Sequence, residues 1–80
     1  MTADPPIHIT RSHDGFNGCL GDELVAYAVP VRGSLQWQVL RCDFDEQTET
    51  VANLAAAKAR LHEIAREVAD ARALLRGGGI

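Results

Sequence analysis

Eighty residues, 46% of them hydrophobic and 24% charged, describe one folded domain near the size at which a lone core is marginal without association, metal or disulfides. A net charge of −3 disfavours a general nucleic-acid binder, which carries a basic surface, and no run approaches the roughly 18 apolar residues of a membrane span. Two cysteines, Cys19 and Cys42, are too few for a disulfide framework and lack the spacing of a zinc knuckle.

Residues 1–6 read as a flexible arm ending at Pro5-Pro6. The arm holds an acid and two prolines rather than a basic stretch before a greasy one, so no signal peptide is expected there and a cytoplasmic address is expected by default. Residues 7–80 are expected to form a single domain. Ile7 to His13 is the first strand, followed by Asp14-Gly15, a hairpin signal because a type I′ turn needs positive φ at its centre. Phe16 to Leu20 is the second strand, and Gly21-Asp22 places glycine where a type II′ turn requires it. Glu23 to Val31 is the third strand, Arg32-Gly33-Ser34 the connection, and Leu35 to Phe44 the fourth.

These turns imply registers. The first pairs Ile9 with Leu20 and His13 with Phe16; the second pairs Leu20 with Glu23, Gly18 with Val25 and Phe16 with Tyr27. The third pairs Val31 with Leu35, Val29 with Trp37 and Tyr27 with Val39. Side chains alternate along a strand, so one face is expected to carry Ile7, Ile9, Phe16, Leu20 and Val25, then Tyr27, Val29, Val31, Leu35, Trp37 and Val39. The other face takes Leu24, Ala26, Ala28 and Leu40, together with His8, Cys19 and Cys42.

From Thr48 to Arg76 there is no Gly or Pro, and a helix of roughly 43 Å is expected over that run. Asp45 or Thr48 is placed to cap it, Glu49 falls in the first turn, and Gly77-Gly78-Gly79 ends it. The fold class is therefore α+β: a four-stranded antiparallel meander packed on one long C-terminal helix.

Little in this arrangement points to catalysis. His13 stands beside Ser12, but on a strand their side chains leave on opposite faces, so a nucleophile–base pair is unsupported. His8, Cys19 and Cys42 share a face without metal-ligand spacing, and a calcium loop starting at Asp43 fails at its sixth and twelfth positions. No metal, cofactor or catalytic residue is expected. The second turn and the end of the fourth strand gather Asp22, Glu23, Asp43, Asp45 and Glu46 at one pole. Residues 1–47 hold seven acids and three bases, and 48–80 four acids and five bases. This pole reads as compensation of the helix dipole, as a docking patch for a basic partner protein, with nucleic-acid mimicry as its sharpest form, or, last, as an unconventional metal site.

Leu54, Ala57, Leu61, Ile64, Val68, Ala71 and Leu75 recur at steps of three and four, a heptad seam of the coiled-coil kind. The first half is expected to pack on the sheet. The sheet face covers roughly 20–30 Å, so Val68, Ala71, Leu74 and Leu75 project past it. A homodimer through Leu61, Ile64, Val68, Ala71, Leu74 and Leu75 follows as the expectation.

The stretch from Asp14-Gly15-Phe16 through Gly21-Asp22-Glu23-Leu24-Val25-Ala26-Tyr27 to Trp37-Gln38-Val39, followed by an Ala-rich helix, resembles small uncharacterised proteins of actinobacteria and their phages. That resemblance implies no catalytic residue; it implies an accessory gene product acting through contacts with a host or phage protein. The expected function is a non-enzymatic protein-interaction module, homodimeric through its helix. The alternative is a nucleic-acid-associated regulator acting as a dimer.

Overall fold

The structure, a computed structural model, describes residues 6–42 and 48–78, with side chains as far as Leu75. Five strands precede one helix: β1 (Ile7–Arg11), β2 (Phe16–Leu20), β3 (Glu23–Pro30), β4 (Trp37–Arg41), β5 (Thr48–Val51) and α1 (Leu54–Gly78). The strands form one antiparallel sheet in chain order, and α1 lies across one of its faces. The α+β class and the long C-terminal helix are as expected, whereas the sheet has five strands rather than four.

The fifth strand takes residues that the uninterrupted Ala-rich run assigned to the helix. Three of the four residues of Thr48–Val51 are β-branched, a type that packs well on a pleated surface and loses rotamer freedom in a helix. The helix begins instead after Asn53. Its Oδ1 accepts from the Ala56 N–H at 2.9 Å and its carbonyl from the Ala57 N–H at 3.0 Å, the bonds of an N-cap. Thr48 and Glu49 therefore lie in β5, and Asp45, the other expected cap, lies outside the described residues.

The registers depart from expectation at all three hairpins. Ser12 N–H donates to Gly15 O at 2.8 Å, so the first turn is His13-Asp14 and β1 pairs as Ile7↔Leu20, Ile9↔Gly18 and Arg11↔Phe16. This is a slip of two residues, which leaves each side chain on its expected face. Gly15 serves close approach instead of positive φ: a Cβ there would meet Ala28 O at 2.0 Å. The second turn forms as expected, with Gly21 at φ 62° and Leu20 opposite Glu23. Beyond it, a bulge beside Gly18 and Cys19 makes Gly18 pair with Ala26 and Phe16 with Ala28.

That bulge exchanges the two faces of β3. Val25, Ala26 and Ala28 are all buried towards the helix, while Tyr27 and Val29 pass to the open face with Leu40 and Gln38. The reason lies under the helix, where a Cβ on Gly18 would sit 3.2 Å from Leu61 Cβ. Gly18, Ala26 and Ala28 give a shallow track along which Leu61 and Ile64 pack; Tyr27 in that track would hold the helix off the sheet. Leu35 is a further correction. The third hairpin closes through Val31 N–H to Gln36 O at 2.9 Å with Gly33 at φ 76°, which leaves Leu35 in the loop and 85% exposed.

Candidate functional site

The helix has two unlike halves. Ala57, Leu61, Ile64 and Ala65 are fully buried on the sheet, and Val68 and Ala69 are half-buried at the rim of the core. From Asp70 to Leu75 every residue is exposed, Leu74 and Leu75 at 77% each. At 100° per residue, Leu75 continues the stripe of Leu61, Ile64 and Val68, and Ala71 lies on its shoulder. The greasy edge therefore runs on for two turns after the sheet has ended. The molecule is correspondingly long, 50 Å against 21 and 17 Å in the other directions. Of the six residues expected at a dimer interface, Leu61 and Ile64 are wholly covered by their own sheet. Val68 is half-covered, and only Ala71, Leu74 and Leu75 stand open.

At the root of this overhang Arg72 reaches back to the start of β3. Its Nη1 donates to Glu23 Oε1 at 2.7 Å and its Nη2 to Glu23 Oε2 at 2.6 Å, the bidentate geometry that suits a guanidinium to a carboxylate. These hydrogen bonds hold the Glu23 carboxyl below the usual carboxylate range and raise Arg72 above the ordinary arginine value. Beside the pair is a dimple of about 50 Å³ lined by Glu23, Leu24, Val25, Cys42, Val68 and Arg72.

The acidic pole is thus altered from its expected form. Glu23 is committed to Arg72, Asp22 is exposed next to it, and Asp43, Asp45 and Glu46 lie outside the described residues. Compensation of the helix N-terminus also fails for Asp22 and Glu23, because the hairpin that carries them abuts the C-terminal half of α1. Two acids of the helix, Glu63 and Glu67, are engaged elsewhere, and Asp70 is exposed. Arg60 donates to Glu49 at 2.7 Å and to Glu63 and Glu67 at 3.1 Å, and Arg41 stands 3.6 Å from Glu67. Hydrogen bonding to Glu49 is the main cause that raises Arg60. This network ties β4 and β5 to one flank of α1.

The other candidates carry no chemistry that the structure assembles. His13 Nε2 lies 3.8 Å from Asp14 with both side chains almost fully exposed, and Ser12 Oγ is used by the Gly15 N–H at 3.0 Å. Cys19 pairs with His8 across the ladder, while Cys42 stands opposite Val25, and no disulfide joins the two cysteines. No group of three or more metal-ligating side chains occurs among the described residues, and no helix there is long and apolar enough to cross a membrane.

One cluster escaped sequence reasoning. Lys58 Nζ sits 4.5 Å above the Phe16 ring, whose centroid is 5.9 Å from that of Trp37. The i to i+4 spacing of Lys58, His62 and Arg66 was the available signal, but which strand they border depends on the tertiary fold. No protein-family model, no curated protein and no solved structure matches the chain.

Proposed function

We propose that this chain is a non-enzymatic protein-interaction module that self-associates through the C-terminal end of α1. The observation that carries this reading is the pair Leu74 and Leu75, each 77% exposed on a helix whose earlier turns are sealed by the sheet. A second copy, antiparallel to the first and crossing near Ala71, brings each Leu75 towards the half-buried Val68 and the dimple beside Arg72 of the other. The small Ala71 permits close approach of the two backbones. The bidentate Glu23–Arg72 pair holds the first turn of the overhang in position for this.

The contact is small. Burying both leucines removes roughly 250 Å² per chain, well under the ~800 Å² per partner of a standard stable interface. Against the cost of association the balance leaves a weak dimer, formed at about high micromolar concentration. Sedimentation equilibrium tests it: the apparent mass is expected to rise above 8.7 kDa with concentration, and Leu75→Ser is expected to hold it at the monomer value. A clean monomer throughout, with the helix intact by circular dichroism, overturns the reading.

A further inference from the structure

Among the described residues the sheet ends in two edge strands, β1 and β5. The hydrogen-bond phase of β1 is set by two bonds flanking it, Gly21 N–H to Pro6 O and Ser12 N–H to Gly15 O, each 2.8 Å. Both pairs belong to the same ladder as Ile7↔Leu20 and Arg11↔Phe16. In an antiparallel pair, hydrogen-bonded and non-hydrogen-bonded positions alternate. His8 and Thr10 therefore turn their backbone groups to β2, and Ile7, Ile9 and Arg11 turn theirs outward. The edge is short and carries one charge, Arg11, but it is regular, with no bulge and no internal proline among Ile7–Arg11, so two of the devices that blunt an open edge are missing.

Charge distinguishes this edge further. The helix flank over β4 and β5 carries Arg60, Glu63 and Glu67, which with Arg41 and Glu49 form an ion-pair network of net charge −1. The opposite flank, which packs Ala65 against Ile7 and Leu20, carries Lys58, His62 and Arg66 at successive steps of four residues. Arg11 lies across from Phe16, the ring over which Lys58 sits. Among the described residues, Arg11, Lys58 and Arg66 have no carboxylate within ion-pair distance. The acids nearest this row are Asp14, at the hairpin tip beside His13, and Asp70, one further step of four beyond Arg66 and so its neighbour on the helix surface. A chain of net charge −3 thus keeps Arg11 and Lys58 without a carboxylate partner beside its edge strand.

We propose that the open edge of β1 receives an extended acidic peptide, which adds to the sheet as a sixth strand. Outward N–H and C=O groups at Ile7, Ile9 and Arg11 supply the ladder. Arg11 and Lys58 attract carboxylates of the incoming strand. Main-chain bonds give affinity without sequence demand, and the charge selects the class of segment. This rests on the reading of the chain as an interaction module and assigns its partner surface, separate from the helix end.

The test is amide hydrogen exchange by NMR, with a short peptide of alternating valine and glutamate as probe and its valine–lysine counterpart as control. The glutamate peptide is expected to slow exchange at Ile7, Ile9 and Arg11 by about tenfold or more near saturation, leaving His8 and Thr10 little changed. The lysine peptide is expected to do nothing. The double variant Arg11→Gln, Lys58→Gln, both residues exposed, is expected to weaken binding by about tenfold. Arg11→Pro, which removes an outward N–H and no ladder bond, weakens it with the native sheet retained. Equal binding of both peptides, or binding without slowed exchange at those three amides, overturns the proposal. So does protection that grows with protein concentration alone, which would place a second copy on the edge. Pairing through the helix end leaves these amides untouched, so the sedimentation result and this one can fail independently.

Discussion

The two halves of α1 are built from the same residues and meet opposite fates. Leu54 to Ala69 and Asp70 to Leu75 are both rich in Ala and Leu with interspersed charge, and both continue one apolar stripe. In the first half that stripe is sealed against Gly18, Ala26, Ala28 and Val39; in the second it faces water. Helix propensity does not distinguish them, so the difference is one of tertiary burial alone. A two-turn segment cannot hold a helix by itself, since nucleation is costly and short helices are marginal. The overhang is therefore helical because the seated half has already paid for nucleation and Arg72 anchors its first turn.

The strongest way to break this contrast is to truncate one leucine in each half. Leu61 is fully buried, and Leu61→Ala is expected to cost about 2–5 kcal/mol in denaturant unfolding, from lost burial plus the cavity left behind. Leu75→Ala at dilution, where the chain is monomeric, is expected to stay within about 0.5 kcal/mol of the parent. Equal costs would mean that the overhang is covered. At high concentration the Leu75 variant is expected to lose the stabilisation that association confers, which Leu61→Ala retains in proportion to the folded fraction.

A smaller effect sharpens the comparison from the other end of the helix. Asn53 caps the seated half through Ala56, and Asn53→Ala is expected to cost about 1 kcal/mol, Asn53→Gly only a few tenths. Because the overhang borrows its nucleus, the loss should appear in amide exchange at both ends of α1, not at Ala56 and Ala57 alone. Confinement to the first turn would show that the overhang is held independently.

Much of this architecture was legible from local chemistry. Gly21-Asp22 announced its turn because the positive φ at Gly21 is strained for other residues. The seam from Leu54 to Leu75 announced a helix through its period and, through its length, an overhang. What stayed hidden depended on partners distant in sequence. The bulge that turned Ala26 and Ala28 inward answers to Gly18 beneath Leu61, a contact no hairpin rule contains. Thr48–Val51 lacked a Gly or Pro to separate it from the helix, and its β-branched residues were outweighed by the Ala-rich run beyond. The pairing of Glu23 with Arg72 is equally invisible in the sequence, which groups Glu23 with the acids of one pole. The basic flank beside β1 needed the fold to show which strand it borders.

The least of these effects singles out the link between the two halves. Glu23 has its carboxyl pKa lowered in the fold by the Arg72 hydrogen bonds, against an opposing desolvation. A lowered folded pKa means a contribution fully present above the ordinary carboxylate value of 4.5 and lost as pH falls through the folded value. Both side chains are exposed, so salt and solvent keep that contribution small, and global unfolding will hardly register it. Its signature is local. Between neutral pH and the region below 4.5, amide exchange at Ala73, Leu74 and Leu75, corrected for intrinsic rates, is expected to quicken before that at Leu61 and Ile64. Arg72→Gln is expected to quicken it already at neutral pH and to remove most of the further acid response. If acid loosens both halves together in the parent chain, the ion pair does not govern the overhang, and its helicity comes from the seated half alone.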